Sequence, residues 1–224
     1  MEWSILRMSP LFIGLSDEDI ESILRDVPHS IRKYKSGSVI AQSGEQVISL
    51  KLVIKGMVKG EMVDYSGRVI KIEDIPAPGA LAPAFMFGNR NRYPVNVMAI
   101  SDVELLTIEK LGFVKLLKKN DRVLVNFLDM ISNRSQFLSE KIKFLNFKTI
   151  KGKLAQFILQ KAGKDRLSIV LEMKQDELAE FFGVARPSVA RALGEMEEEG
   201  LIEAKGKNIR VLDKSRLAEM TSDR

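Results

Sequence analysis

Arg186, Ser188 and Arg191 are the residues whose types and spacing best suit recognition chemistry; they lie in the stretch QDELAEFFGVARPSVARALGEME that starts at Gln175. An arginine side chain ends in a planar fork that can donate two hydrogen bonds to one guanine edge, so arginines near one helix end suit the reading of DNA bases. Two short helices must position them. Leu178, Phe181 and Phe182 put apolar side chains on one face of a first helix, and Gly183 interrupts it. A second helix opens near Arg186-Pro187-Ser188, with Val189, Leu193 and Met196 as its apolar stripe and both arginines off that stripe. Pro187 is tolerated in the first turn, where a missing N–H costs little. This is the outline of a helix-turn-helix, although a helical hairpin with solvated arginines has the same pattern. Gln175, at the start of the first helix, is a further candidate for DNA contact.

Other chemistries are poorly supplied. The chain has no cysteine and a single histidine, His29, so disulfides, thiolate nucleophiles, cysteine-held iron–sulfur clusters and multi-histidine metal sites are excluded. No metal ligand set is identified. There is no glycine-rich phosphate loop either, which argues against an enzyme. The composition, 45% hydrophobic and 29% charged over 224 residues, has room for two globular domains. No apolar run approaches the roughly 20 residues that span a bilayer, and the first ten residues lack a secretory signal, so a cytoplasmic location without membrane contact is expected.

The net charge is +5, and its distribution matters more than its total. Residues 110–148 hold nine Lys/Arg against three Asp/Glu, whereas residues 149–224 hold 14 basic and 13 acidic residues. Binding at the C-terminal end must therefore depend on a few placed cations.

The rest of the chain reads as an α+β protein. Ser16 followed by Asp17-Glu18-Asp19 caps a short N-terminal helix carrying Ile20, Ile23 and Leu24. Short β-rich runs follow at 31–34, 38–42, 50–55, 57–63, 69–75, 95–100 and 103–108, separated by glycine turns, which implies a sandwich or jelly-roll barrel. An apolar Pro/Gly/Ala-rich stretch at 76–88 interrupts them, as a ligand-cavity wall or as a packed connecting turn with one short helix. From Asp121 a long helix carries Leu124, Leu128, Ile131, Ser135, Leu138, Ile142 and Leu145 at alternating steps of four and three. That heptad-type seam suggests a homodimer. A further helix ends near Gly163, a strand is expected at 167–173, and residues 200–212 read as a hairpin. Directly after a recognition helix, such a hairpin is a wing, with Lys205 and Lys207 placed to meet phosphates. Domain boundaries follow: a sensor barrel over 1–119, a dimerisation helix over 120–147 with a hinge near 146–149, and a winged helix-turn-helix over 148–224.

This order of barrel, long helix and winged helix-turn-helix resembles the cyclic-AMP receptor/fumarate-nitrate regulator (Crp/Fnr) superfamily of bacterial transcription factors over nearly the whole chain. The resemblance rests on Ser43-Gly44-Glu45, Val53-Ile54-Lys55-Gly56, Ala185-Arg186-Pro187-Ser188-Val189-Ala190-Arg191 and Gly200-Leu201-Ile202. It implies a cyclic-nucleotide-binding-like N-terminal barrel, a homodimer, a palindromic double-stranded DNA operator, and contact with RNA polymerase if the protein activates. The matching base-reading positions are Arg186, Ser188 and Arg191; Pro187 stands where the family often has an acid, so the half-site does not carry over.

The effector positions depart from the family's pattern. The ribose-binding glutamate position is Ala80, and the phosphate-binding arginine-serine pair aligns with Tyr93-Pro94. A phosphate site without its arginine has lost charge-assisted bonds, which disfavours cyclic AMP; Arg90 and Arg92 are nearby substitutes. The segments 71–76, 82–88, 93–95 and 144–151 resemble the regulators of the hybrid-cluster-protein gene (HcpR branch), which implies a nitrosative-stress response with haem as cofactor and nitric oxide as signal. A pocket lined by Met57, Met62, Ala80, Leu81, Phe85, Met86, Tyr93 and Met98 would suit an apolar macrocycle, with methionine or His29 as axial ligand candidates. A cyclic-nucleotide-dependent regulator, or a regulatory subunit without direct gas sensing, is the alternative.

Overall fold

The computed structural model describes residues 3–145, 147–163 and 166–221. Two compact units divide the chain, Met1–Arg134 and Ser135–Arg224.

The first unit opens with 3-10 turns at Ser4–Met8 and Pro10–Phe12, then helix α1 (Asp17–Arg25). Ser16 caps α1: its hydroxyl accepts from the Asp19 amide at 3.1 Å, while the Asp19 carboxylate accepts from the Ser16 amide at 3.1 Å. That reciprocal pair satisfies two donors the helix would otherwise leave open. Strands β1 (His29–Tyr34), β2 (Val39–Ala41), β3 (Ser49–Lys55), β4 (Met57–Val63), β5 (Val69–Pro76), β6 (Ala80–Leu81), β7 (Asn96–Ala99) and β8 (Val103–Glu109) follow. They form two antiparallel sheets, ordered β1-β8-β3-β6 and β2-β7-β4-β5. The expected barrel is present with slightly shifted strand ends. One hydrophobic core runs through the unit, to which Leu50, Leu52, Val58, Val97, Leu105 and Leu106 each contribute a buried side chain.

Three elements were not expected. The Pro/Gly/Ala-rich stretch supplies β6, which pairs with β3 through Lys51↔Leu81 and Leu52↔Ala80, ahead of a 3-10 turn at Pro83–Phe85 that answers to the short helix expected there. Two residues of pairing are too few to leave a period in the sequence. Helix α2 (Lys110–Lys119) buries Phe113, Leu116 and Leu117; it lies within the span assigned to the barrel. The third, at the chain's end, is α7.

Helix α3 (Asp121–Leu145) is continuous, but it is not a separate unit. Val123 and Phe127 belong to the core of the first unit and Phe144 to that of the second, while residues 132–136 are all exposed. The helix divides because its two ends bury side chains in different cores. Of the expected hinge at 146–149, Asn146 lies outside the described residues.

In the second unit, α4 (Ile150–Ala162) starts at Thr149, whose hydroxyl accepts the Gly152 amide at 3.0 Å. Then come β9 (Ser168–Val170, shorter than expected), α5 (Gln175–Phe182), α6 (Arg186–Glu198), β10 (Ile202–Lys205), β11 (Asn208–Val211) and α7 (Lys214–Met220), capped by Asp213. The three strands form one sheet, β10-β11-β9. Phe137, Phe144, Phe147, Phe157, Phe181 and Phe182 touch edge-on or tilted with ring centroids 5.1–6.2 Å apart. Non-parallel contacts of this kind are the favourable ones for aromatic rings.

Candidate functional site

The C-terminal site is built on α5 and α6. Gly183 ends α5 with φ +68°, and its amide reaches the carbonyls of Ala179 and Glu180. A side-chain-bearing residue would be strained in that conformation, so the glycine sets the angle between the two helices. Leu178, Phe181 and Phe182 of α5 and Val189, Leu193 and Met196 of α6 are all buried, as their spacing implied.

Burying that stripe turns the rest of α6 outward. At 100° per residue, Pro187, Arg191, Gly194 and Glu198 fall along the line opposite the stripe; Ser188 is about 60° from Arg191 around the helix, and Arg186, at its first position, about 140°. Arg191 is exposed and makes no ion pair among the described residues. Arg186 is also exposed, and its Nε lies 3.1 Å from Asp176 Oδ1 on α5. That contact occupies Nε and leaves the two terminal nitrogens of the fork free. Ser188 is half-buried, as is Gln175 at the first position of α5.

The C-terminal end of α6 is acidic; Glu198 lies on the outward line, and three other acids bind protein groups. Glu195 and Glu199 both hold Lys151 Nζ at 2.7 Å, and these bonds raise the Lys151 pKa. Glu197 accepts the Ala204 amide at 2.7 Å, tying the base of the wing to the helix. Sequence reading missed Asp176, Lys151 and Glu197, because their partners lie 10, 44 or 48, and 7 residues away.

The wing is β10, a two-residue turn and β11. Gly206 takes φ +61° at the first turn position, as tight hairpin turns require. Lys205 and Lys207 are both exposed beside that turn. Lys205 sits 2.8 Å from Glu203, which raises the lysine's pKa, and Lys207 Nζ donates to the Glu172 carbonyl at 3.4 Å.

On the long helix, Leu128, Leu138 and Ile142 of the expected seam are 53%, 45% and 62% exposed. Ser135 is exposed and Leu124 and Ile131 are half-buried; Val125, 49% exposed, extends the apolar surface. The Leu145 side chain lies outside the described residues.

The barrel does not assemble the methionine-lined pocket. Leu81, Met86 and Tyr93 are buried in the core, and Ala80 packs against it. Met98, however, alternates with buried Val97 and Ala99 and pairs with Val39 and Lys59, which places it on the outer face of its sheet. Met57, next to buried Val58, is half-buried on that same face. Met62 and Phe85 are 42% and 37% exposed. The period of two in a strand sends neighbouring residues to opposite faces, and hydrophobicity alone did not reveal which face was inside.

Arg92 is exposed and donates to the Gly44 carbonyl at 2.6 Å, and Arg90 is exposed. His29 is exposed, with Nδ1 2.9 Å from the Val27 carbonyl and its ring edge-on to Trp3.

A side chain that hydrophobic patterning passed over occupies the core instead. Lys51, only 8% exposed, donates from Nζ to the Tyr93 hydroxyl at 3.1 Å. Burial, with smaller contributions from Glu45 and Tyr34, pushes the Tyr93 phenol up to about 12.

Each unit has a match among known families. Residues 31–120 match the cyclic nucleotide-binding domain, and residues 152–220 match the Crp-like helix-turn-helix domain. The cAMP-activated global transcriptional regulator CRP of Salmonella typhimurium is 26% identical over 184 residues, covering 80% of this chain and 88% of that one. The cyclic AMP receptor protein of Thermus thermophilus is 24% identical over 215 residues, covering 96% and 98%. In fold, the chain is similar to the crystal structure of Thermus thermophilus catabolite activator protein, with a TM-score of 0.56, 22% identity, and 96% and 99% of the two chains covered. Both domains matched in this order support a transcription factor of the Crp/Fnr family.

Proposed function

We propose that the protein is a homodimeric, sequence-specific regulator that reads a palindromic DNA operator with α6 and is switched by a small effector in its barrel. The observation that carries the DNA reading is the division of α6. Its N-terminal half presents exposed Arg186 and Arg191 and half-buried Ser188, while Glu195 and Glu197 of its C-terminal half and the capping Glu199 bind Lys151 and the wing. Phosphates approached from the acidic half would be repelled, so the arginine end enters the groove. The exposed apolar residues of α3 suit pairing with a second copy, and a two-fold dimer asks for half-sites roughly 34 Å apart. An activator of this kind would contact RNA polymerase, and a cytoplasmic location goes with the reading.

Selection of bound sequences from random DNA is the test. Enrichment of a two-fold palindrome, lost or relaxed in Arg191→Ala, is the expected result; enrichment of no sequence would overturn the reading.

Two effector readings remain to be separated. The matched domain and the relatives' names favour a cyclic nucleotide, although Tyr93-Pro94 departs from the family's phosphate site. Calorimetric titration with cyclic AMP and cyclic GMP decides this reading. The likeness to the HcpR branch favours haem and a nitrosative-stress role, yet of Met57, Met62, Met86 and Met98 only Met86 is buried in the core. With His29 on the surface, the described residues do not fit a haem pocket. An absorbance titration with haem that saturates at one per chain, with a further change under nitric oxide, would reverse that judgement.

A further inference from the structure

We infer that the barrel interior holds an oxyanion site centred on the Lys51 ammonium, and that its ligand is a small apolar carboxylate. This deepens the effector reading above and rests on it. A lysine buried in a core without a carboxylate is among the least favourable arrangements a fold can keep, because the charge loses water and gains no counter-charge. Lys51 is in that position. Its Nζ has one described partner, the neutral Tyr93 hydroxyl at 3.1 Å, with the same ring 5.2 Å away as a cation–π contact. No described carboxylate pairs with it. Glu45, which acts on Tyr93, is itself exposed and accepts the Gln42 amide at 3.1 Å. An ammonium offers three donors, and only one is used.

A second buried polar atom stands beside it. Thr107 is 5% exposed, its hydroxyl has no hydrogen-bond partner among the described residues, and it lies directly opposite Lys51 across the β3–β8 ladder. Opposite residues in an antiparallel pair share a face, with Cβ atoms about 5 Å apart. Buried hydroxyls in native proteins nearly always have a partner, so an orphan next to an under-bonded cation marks a place for an acceptor. An oxyanion meets all these needs: it takes the free ammonium protons and accepts from the Thr107 and Tyr93 hydroxyls. Towards its edges that face carries buried Ser49 and exposed Glu109, Ser30 and Arg32, and beside Lys51 it is apolar. Leu81 lies opposite Lys51 and Leu105 opposite Val53, and all three of these apolar residues are fully buried. One positive charge and two hydroxyls beside aliphatic side chains match the chemistry of one carboxylate on a hydrocarbon body, and the packed side chains must part to admit it.

The test uses the full chain and acids paired with uncharged isosteres: benzoate against benzamide, and hexanoate against hexanamide. Calorimetry and thermal melting are run on the native protein, Lys51→Met and Thr107→Val. We expect an acid, and not its amide, to bind saturably at one per chain and to raise the melting temperature. Lys51→Met should weaken that binding at least roughly 30-fold, as loss of one member of a buried charge pair does. Thr107→Val should weaken it by about 3- to 10-fold, the scale of one hydrogen bond. Melting of Lys51→Met without ligand shows that it folds, and an equal or higher melting temperature is expected. Saturable binding that Lys51→Met leaves unchanged overturns the site, and so does failure of both acids to bind. If cyclic AMP or haem switches operator binding in the native protein and in Lys51→Met alike, the effector reading stands and this site falls. If no ligand alters operator binding, the effector reading itself falls.

Discussion

At the C-terminal end, Arg186 and Arg191 stand in solvent on a helix whose other face is locked into an aromatic core. In the N-terminal unit the notable cation, Lys51, is 8% exposed and lies inside the barrel. The contrast follows from what each unit must bind. A DNA duplex is too large to enclose, so cations that read it must remain in water, where unpaired charge costs little. A small ligand can be enclosed, and a desolvated charge then acts in a low dielectric, where one ion pair counts for far more. Rigidity in the first case and burial in the second do the equivalent work.

The largest effect should come from removing the rigidity. Phe144, 3% exposed, touches Phe147, Phe157, Phe181 and Phe182, and Phe144→Ala should cost about 3–5 kcal/mol in chemical denaturation. Met62→Ala, on an exposed strand, should stay within about 0.5 kcal/mol. Comparable losses from both would remove the distinction between packed scaffold and open surface.

Next come the readers. Arg186→Ala and Arg191→Ala should each cost about 1–3 kcal/mol of discrimination at one base position, measured by competition among operator variants. Lys205→Ala should weaken all sequences alike and reduce the salt dependence by about one counterion. Asp176→Asn should change stability by less than about 1 kcal/mol, since the pair is solvated, yet blur selectivity at the base read by Arg186. Unchanged selectivity would mean that Asp176 does not orient the fork.

Ser16→Ala should cost about 1 kcal/mol through loss of the α1 cap, read as a shift in denaturation midpoint.

The smallest effect tests burial in the barrel by pH. The Tyr93 phenol is pushed up to about 12, so the folded state favours its neutral form. Its contribution is intact below the ordinary tyrosine value of about 10 and is lost as pH rises from there through about 12. Phenolate absorbance should therefore show a step near pH 12 that Tyr93→Phe abolishes. Titration of all phenols together near pH 10 would put Tyr93 outside the core.

Much of the DNA-binding unit was legible because its signals are local. Leu178, Phe181, Phe182, Val189, Leu193 and Met196 announce two amphipathic helices by spacing, and Gly183 marks the break. The Asp176–Arg186 contact and the Lys151 pair were not legible, since nothing in the sequence specifies which exposed charges meet. The barrel's strands were recognisable from alternation and turns, but the inside face was misjudged at Met57, Met62 and Met98. Methionine is apolar enough to read as core, although its flexibility also suits partly exposed positions.

The sequence by itself determined the order of the main elements without β6, α2 and α7, the exclusion of thiol and multi-histidine chemistry, the two-helix reader and the apolar run along α3. These depend on residue types and near-neighbour periodicity, which the chain carries with it. Only the tertiary structure decided that α3 divides between two cores, that Glu195, Glu197 and Glu199 bind Lys151 and the wing, and that Lys51 meets Tyr93 and lies opposite Thr107. Each of these joins residues far apart in sequence, and their meeting is fixed by sheet register and core packing rather than by any local pattern.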